Sequence, residues 1–269
     1  MSVTTEQKLS LAARNITIKF GGLAAVVNVD FTIPEGGIVS LIGPNGAGKT
    51  TFFNVLTGLY RPTTGRVLLG PKDVTGLPPH RIASLGLART FQNIRLFNLM
   101  TAEENVLVAM HSHMKAGIVR TVLRTPGQRR EEREGRDFAR DLLEFVGIGK
   151  VRDDYARNLS YGDQRRLEVA RALALRPKIL LLDEPTAGMN PLESARFVEF
   201  VHRVRDERGV SILLIEHDMS VVMRVSERVT VLDRGEKIAE GLPDEIRANE
   251  RVVEAYLGKT GTHGYGEDA

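Results

Sequence analysis

Hydrophobic and polar positions divide the 269-residue chain into two kinds of segment. From Leu11 to Ile33 short β-type runs dominate, Ile16–Phe20 and Val26–Ile33 among them, and they predict antiparallel strands. Pro34-Glu35-Gly36-Gly37 turns the chain into Ile38-Val39-Ser40-Leu41-Ile42, whose apolar character, with Ser40 alone polar, predicts a strand buried on both faces of a parallel sheet. Ile179-Leu180-Leu181-Leu182 and Val210–Ile215 read the same way, and Val229–Asp233 with Lys237–Gly241 predicts a hairpin turning at Arg234-Gly235-Glu236. A glycine-rich loop follows the first buried strand and leads into a helix from about Lys49 to Thr57, stopped near Gly58. Between about Thr90 and Arg176 the pattern turns mostly helical, which predicts a helical subdomain inserted into an α/β core. Its last helix, Tyr161–Leu175, stops at Arg176-Pro177.

Composition narrows the function classes. At 42% hydrophobic and 26% charged residues the chain is an ordinary globular protein, large enough for one domain or two small ones. It has no cysteine, which excludes thiol catalysis, disulfides, iron–sulfur ligation and Cys-based zinc sites. Six histidines (His80, His111, His113, His202, His217, His263) form no HExxH or other tight metal-ligand pattern. A net charge of +3 gives no reason to expect a nucleic-acid groove. No run approaches about eighteen apolar residues and the first ten residues are polar, so the expectation is a cytosolic chain, peripheral if it works at a membrane. Nine of the twelve residues at 129–140 are charged with mixed signs, which predicts a solvated helical face, and the Gly-rich tail 259–269 is expected to be flexible.

The chemistry concentrates in two places. Gly43-Pro44-Asn45-Gly46-Ala47-Gly48-Lys49-Thr50 matches G-x-x-x-x-G-K-[ST] between a buried strand and a helix, the context that motif needs. Glycines let successive N–H groups turn inward on phosphates, the helix N-terminus adds positive dipole, Lys49 reaches the β- and γ-phosphates, and the Thr50 hydroxyl can ligate Mg²⁺. The strand Ile179–Leu182 ends in Asp183-Glu184, and strand carboxyl ends are where open α/β sheets bind ligands. Asp183 can hold Mg²⁺ through its water shell, and Glu184 can take a proton from an attacking water.

Leu159-Ser160-Tyr161-Gly162-Asp163-Gln164, 23 residues before Asp183, resembles the LSGGQ signature of ATP-binding-cassette ATPases, with Tyr161 and Asp163 as departures. Ser160 with Asp163 also reads as a capping box opening the helix. Further elements follow the family in order. Gln92 resembles the Q-loop glutamine, Ala187–Pro191 the D-loop with Asn190 where Asp is usual, and His217 the switch histidine. Phe20 resembles the aromatic that stacks on adenine, with core packing as the other reading. The runs Arg14–Val29, Ala88–Leu96, Leu159–Arg171, Ile215–Met219 and Ala255–Gly258 are similar to those of the longer ATPase subunit of branched-chain amino acid importers, as is the long segment from about His111 to Arg136.

The resemblance implies a P-loop NTPase α/β fold: a RecA-like parallel sheet, an N-terminal antiparallel β subdomain and an inserted α-helical subdomain. It implies a single cassette over residues 1–258, with core at about 10–89 and 177–258 and helices at about 90–176. It implies ATP and Mg²⁺, with Phe20, Gly43, Pro44, Asn45, Gly46, Ala47, Gly48, Lys49, Thr50, Thr51 and Asp183 binding nucleotide, and Thr50, Gln92 and Asp183 the metal. Glu184, His217 and Gln92 are the implied catalytic group, while Ser160, Tyr161, Gly162 and Asn190 act across a head-to-tail pair of cassettes. The implied partners are a second ATPase subunit, like or unlike, membrane permease subunits docked near Gln92–Thr101 and, indirectly, a periplasmic or extracellular solute-binding protein, on the cytoplasmic face of the membrane. The run Leu96–Met100 would line the docking groove or pack in the core. The nearest rival is the ATPase of lipopolysaccharide export; DNA-repair and translation cassettes fit the motif spacing and the single cassette less well.

Overall fold

The computed structural model describes residues 8–90, 92, 94–110 and 126–257. Two strands of twelve residues, β1 (Leu9–Phe20) and β2 (Leu23–Pro34), pair antiparallel. Both are longer than the apolar runs predict, because register shifts around Ala13–Ile16 interrupt the alternation that marks a strand in sequence. The fully buried β3 (Ile38–Ile42) feeds the glycine loop and α1 (Lys49–Leu56). The chain then adds β4 (Thr64–Leu69) and β5 (Lys72–Asp73) to the first sheet, giving the order β2-β1-β4-β5. The short α2 (Pro79–Ser84) leads to β6 (Leu87–Arg89).

The helical part comprises α3 (Ala102–Met110), α4 (Pro126–Phe145) and α5 (Tyr161–Ala174) among the described residues. Helix α5 ends as its sequence predicts, one residue earlier: Arg176 takes the left-handed conformation (φ 47°) that closes a helix before Pro177. The charged segment 129–140 lies on α4. Arg130–Glu134 and Arg136–Glu132 pairs sit on its solvent side, while Arg140 and Arg136 also reach the buried Glu103 of α3 (3.0 and 3.7 Å). That segment is therefore a solvated face and also a tether to α3. Residues 111–125 and the tail 258–269 lie outside the described residues.

The chain returns to the sheet through β7 (Ile179–Asp183), α6 (Pro191–Arg208), β8 (Ser211–Ile215), α7 (Met219–Val225), β9 (Arg228–Asp233) and β10 (Glu236–Gly241), then closes with α8 (Pro243–Arg247) and α9 (Glu250–Leu257). The second sheet has the order β10-β9-β3-β8-β7-β6, parallel throughout except for the β9–β10 hairpin. Its central strands divide their side chains between two cores, as period-2 geometry requires. Ile38, Leu180, Leu182, Ile212 and Leu214 face the helical side, and Val39, Leu41, Ile179, Leu181, Leu213 and Ile215 face α1 and the antiparallel sheet. No helix among the described residues is long and apolar enough to cross a membrane.

Candidate nucleotide site

The strand order decides which residues meet. Neighbours β3, β8, β7 and β6 run parallel, so their carboxyl ends lie in a row. In that order they present the loop 43–51, Glu216-His217, Asp183-Glu184, and Thr90 with Gln92. Four segments, the first beginning at Gly43 and the last ending at His217, thus share one edge, the position at which α/β sheets bind ligands.

Two glycines in the loop are required sterically. A Cβ on Gly43 (φ 151°) would lie 2.1 Å from the Leu232 carbonyl oxygen, and one on Gly48 (φ 96°) 2.6 Å from that of Ala25. With those approaches open, the loop curls over the start of α1, whose first turn holds no acidic residue and so keeps its N–H groups and dipole for an anion. Lys49 Nζ donates to the carbonyls of Gly43 (2.6 Å) and Pro44 (3.0 Å), which holds the ammonium across the loop's mouth. Burial lowers the Lys49 pKa, and the negative charge of Glu184 acts against that shift. Tyr256 of α9 meets the loop at Gly43: burial raises its phenol pKa, while a hydrogen bond from the Gly43 backbone lowers it. Thr50 is exposed at the helix start and Thr51 is half-buried beside it.

Asp183 is buried and forms an ion pair with Arg89 at 2.8 Å through its Oδ2. Arg89 also donates to Asn54 Oδ1 (2.7 Å) and lies over the Phe53 ring (4.5 Å), so it ties the end of β7 to α1. Glu184 occupies the left-handed region (φ 46°), unusual for a glutamate and held by its N–H donating to Ile215 O (2.9 Å). Gln92 Nε2 donates to Glu184 Oε2 (3.0 Å). His217 is exposed at the end of β8 and is not a core residue; its Nδ1 lies 3.9 Å from Glu216 Oε2. Thr50, Asp183 and Gln92 offer a hydroxyl, a carboxylate and an amide oxygen, the hard donor set that Mg²⁺ prefers.

Phe20 is 47% exposed at the β1–β2 turn and meets Tyr60 edge-to-face at 5.3 Å, so core packing does not account for it. Ser160, Tyr161 and Gly162 stand apart. They line a cleft of about 850 Å³ with Gly188 and Met189, and neither Lys49, Thr50 nor His217 lines it. Ser160 caps α5, accepting from the Asp163 N–H (3.1 Å), but the expected box is only half made: its hydroxyl donates to Asp163 Oδ2 (2.8 Å). Asp163 is one methylene shorter than the Glu that usually reaches back to the N-cap amide. Asn190, by contrast, forms a full box with Glu193 at the start of α6.

Three residues that the motifs did not point to join these parts. Besides Arg89 and Glu216, Arg165 of α5 donates to the Gln92 carbonyl (2.7 Å), linking the signature helix to the glutamine. Nearby, the buried Asn105 receives the Phe97 N–H and donates to the carbonyls of Phe97 and Thr101. That pins the loop 96–101 while leaving Leu99 73% exposed and Phe97 exposed, so the core-packing reading of this run fails for both.

The ABC transporter family profile matches residues 26–187, and the profile of the branched-chain amino acid ATP-binding cassette transporter matches residues 236–261. Over 249 residues, 93% of this chain and 98% of the relative, the sequence is 49% identical to the high-affinity branched-chain amino acid transport ATP-binding protein LivG of Salmonella typhimurium. It is 47% identical to BraF of Pseudomonas aeruginosa, of the same description, over the same shares, and 35% identical to the lipopolysaccharide export ATP-binding protein LptB of Haemophilus influenzae over 93% of this chain and 97% of that protein. An ATP-binding cassette of an ABC transporter in its ADP conformation superposes with a TM-score of 0.80 at 29% identity, covering 93% of this chain and 99% of that one. A dimeric cassette in a post-hydrolysis state, bound to ADP and Pi, gives 0.73 at 27% identity over 87% and 98%. The fold, the aligned strand ends and these likenesses agree: the chain belongs to the ABC transporter family, as an ATP-hydrolysing cassette of the branched-chain amino acid type.

Proposed function

We propose that this chain is one half of a paired ATPase that energises import of branched-chain, hydrophobic amino acids through membrane permease subunits. In this reading a periplasmic or extracellular binding protein delivers the solute, and the cassette works on the cytoplasmic face of the cell membrane. The observation that carries the enzymatic part is the row of strand ends β3, β8, β7, β6, with Lys49, His217, Asp183, Glu184 and Gln92 on one edge. The substrate class rests on the likeness to the branched-chain relatives, which exceeds that to the lipopolysaccharide-export ATPase.

The loop N–H groups from Asn45 to Thr51, at the start of α1, cradle the phosphates, and Lys49 swings from its carbonyl partners to the β- and γ-phosphates. Thr50, Gln92 and, through water, Asp183 would hold Mg²⁺, which when bound neutralises charge on the β- and γ-phosphates. Glu184 orients the attacking water and accepts its proton, with Gln92 fixing the carboxylate through Oε2. His217 steadies charge on the transferred phosphoryl group. Phe20 offers its exposed ring to adenine.

Catalysis on this scheme is positioning plus electrostatics, and one chain supplies only part of it. Ser160, Tyr161, Gly162 and Asn190 would close on nucleotide held by a second cassette, the Ser160 hydroxyl turning from Asp163 to the γ-phosphate. Arg165, by joining α5 to Gln92, would pass that closure to the pinned loop 96–101, whose exposed Leu99 and Phe97 suit an apolar permease contact.

Glu184→Gln tests the scheme. The variant should bind ATP with parental affinity and hydrolyse it about 10²–10⁴-fold more slowly, since an amide cannot take the proton. Parental turnover would remove Glu184 as the base. In vesicles carrying the assembled transporter, ATP-dependent uptake of labelled leucine and valine should follow the parental cassette; uptake of neither would overturn the substrate class.

A further inference from the structure

Glu216 carries a role that none of the motifs assigns. It follows β8 directly, its side chain is fully buried, and four donors converge on its two carboxylate oxygens. Oε1 accepts the Thr186 N–H (2.9 Å) and the Thr186 hydroxyl (2.5 Å). Oε2 accepts the His217 N–H (3.1 Å) and, at longer range, the Asp218 N–H (3.5 Å). One carboxylate therefore staples the turn after β7 to the turn after β8, the complement of an acceptor-only group.

Both turns carry functional residues. Thr186 lies two residues beyond Glu184, and its carbonyl accepts the Met189 N–H (3.0 Å) in the turn that leads to Asn190. Glu184 itself sits at φ 46°, a conformation that persists only where the surroundings over-determine it. Its own tie to the neighbouring strand is one backbone bond to Ile215. A staple two residues further on supplies the second constraint, and the same carboxylate fixes the backbone of His217.

We propose that Glu216 is a positioning residue: it holds Glu184 and His217 in mutual register and makes the segment 186–190 move with the His217 turn. This rests on the roles given to Glu184 and His217 in the proposed function. Glu216 touches no nucleotide; it acts through Thr186 and His217, so its removal should slow turnover without weakening nucleotide binding.

The test compares the parent with Glu216→Gln, Thr186→Val, Thr186→Ser and the double variant Thr186→Val/Glu216→Gln, reading phosphate release at saturating Mg·ATP, ATP affinity by calorimetry and thermal melting. In Glu216→Gln the amide nitrogen must face one of the two donor pairs, so one side of the staple opens. Turnover should fall about 10- to 100-fold, the scale expected when a reacting group is displaced by about 1 Å. Affinity should stay within about threefold of the parent. Thr186→Val should fall likewise, Thr186→Ser should recover, and the double variant should be no slower than the slower single, because the two residues share one connection. Turnover near parental in Glu216→Gln overturns the proposal, and so does an affinity loss that matches the loss of turnover. Should Glu216→Gln fail to fold, Thr186→Val decides: parental turnover there overturns it as well. Glu184→Gln assayed alongside separates the two levels, for if that variant turns over at the parental rate the failure lies in the role given to Glu184.

Discussion

Arg89→Met removes the cation from a carboxylate that is almost wholly buried. Arg89 and Asp183 are 11% and 6% exposed, so their 2.8 Å contact is a buried ion pair. Such a pair is weak net stabilisation compared with an apolar replacement of both partners, but breaking it from one side strands a buried charge, at about 3–5 kcal/mol. The same substitution loses the stack of the guanidinium on Phe53, worth about 0.5–2 kcal/mol, part of which the methionine side chain regains by packing. A net loss of about 4 kcal/mol is a large share of the 5–15 kcal/mol typical of a domain. In a chain this size it lowers Tm by roughly 10 °C. The assay is urea unfolding in EDTA, so that no divalent cation stands in for the guanidinium, on the parent, Arg89→Met, Asp183→Asn and the double variant. Coupling of about 2 kcal/mol or more between the two sites is expected, with the double variant more stable than the sum of the singles implies. Additivity within about 0.5 kcal/mol would refute the reasoning, because it would mean that Asp183 does not depend on Arg89.

Further outcomes follow from other contacts. Lys49→Ala should weaken ATP binding about 10- to 100-fold, the loss of a charge-assisted contact, and unchanged affinity in calorimetry would refute its phosphate role. Asn190→Ala should cost about 1 kcal/mol in urea unfolding, because the Glu193 N–H loses its acceptor on the Asn190 side chain while the backbone N–H of residue 190 keeps its bond to the Glu193 carboxylate; no loss would mean that solvent replaces the cap. Hydrogen bonds from Ser220 hold the Asp218 carboxyl below its usual 3.8, so its contribution to stability is full above 3.8 and disappears as pH falls through the depressed value. Acid unfolding of Asp218→Asn should lack that component; an acid limb identical to the parent's would contradict it.

What the sequence revealed and what it hid have physical causes. The buried strands were legible because Ile38–Ile42, polar only at Ser40, and Ile179–Leu182 are short apolar runs, too short for a buried helix and flanked by Gly or Pro. The glycine loop was legible because its close backbone approaches demand glycine at a fixed spacing. Arg89 and Asp183 are 94 residues apart, and only the pairing of β6 with β7 brings them together, so no local pattern could announce their contact. Glu216 misleads in another way: an acid at the end of an apolar strand reads as a solvent-facing terminus, and only the donors of Thr186 and His217 explain its burial. The length of β1 was obscured by its bulge, where Asn15 takes φ 52° and shifts the side-chain alternation.

The close approach of Ala25 to the phosphate loop bears on how the molecule comes apart. Its carbonyl would clash with a Cβ on Gly48 and on Gly235, Val27 N–H donates to Gly235 O (2.8 Å), and Gly235 N–H donates to Ala47 O (3.0 Å). The antiparallel sheet, the β9–β10 hairpin and the loop are thus joined by backbone hydrogen bonds, beside the packing of Val26, Ala47 and Leu232 in one core. The two sheets, separate in topology, should therefore open together: a chain nicked in the turn after Pro34 would lose the wall of its glycine loop when the first two strands left.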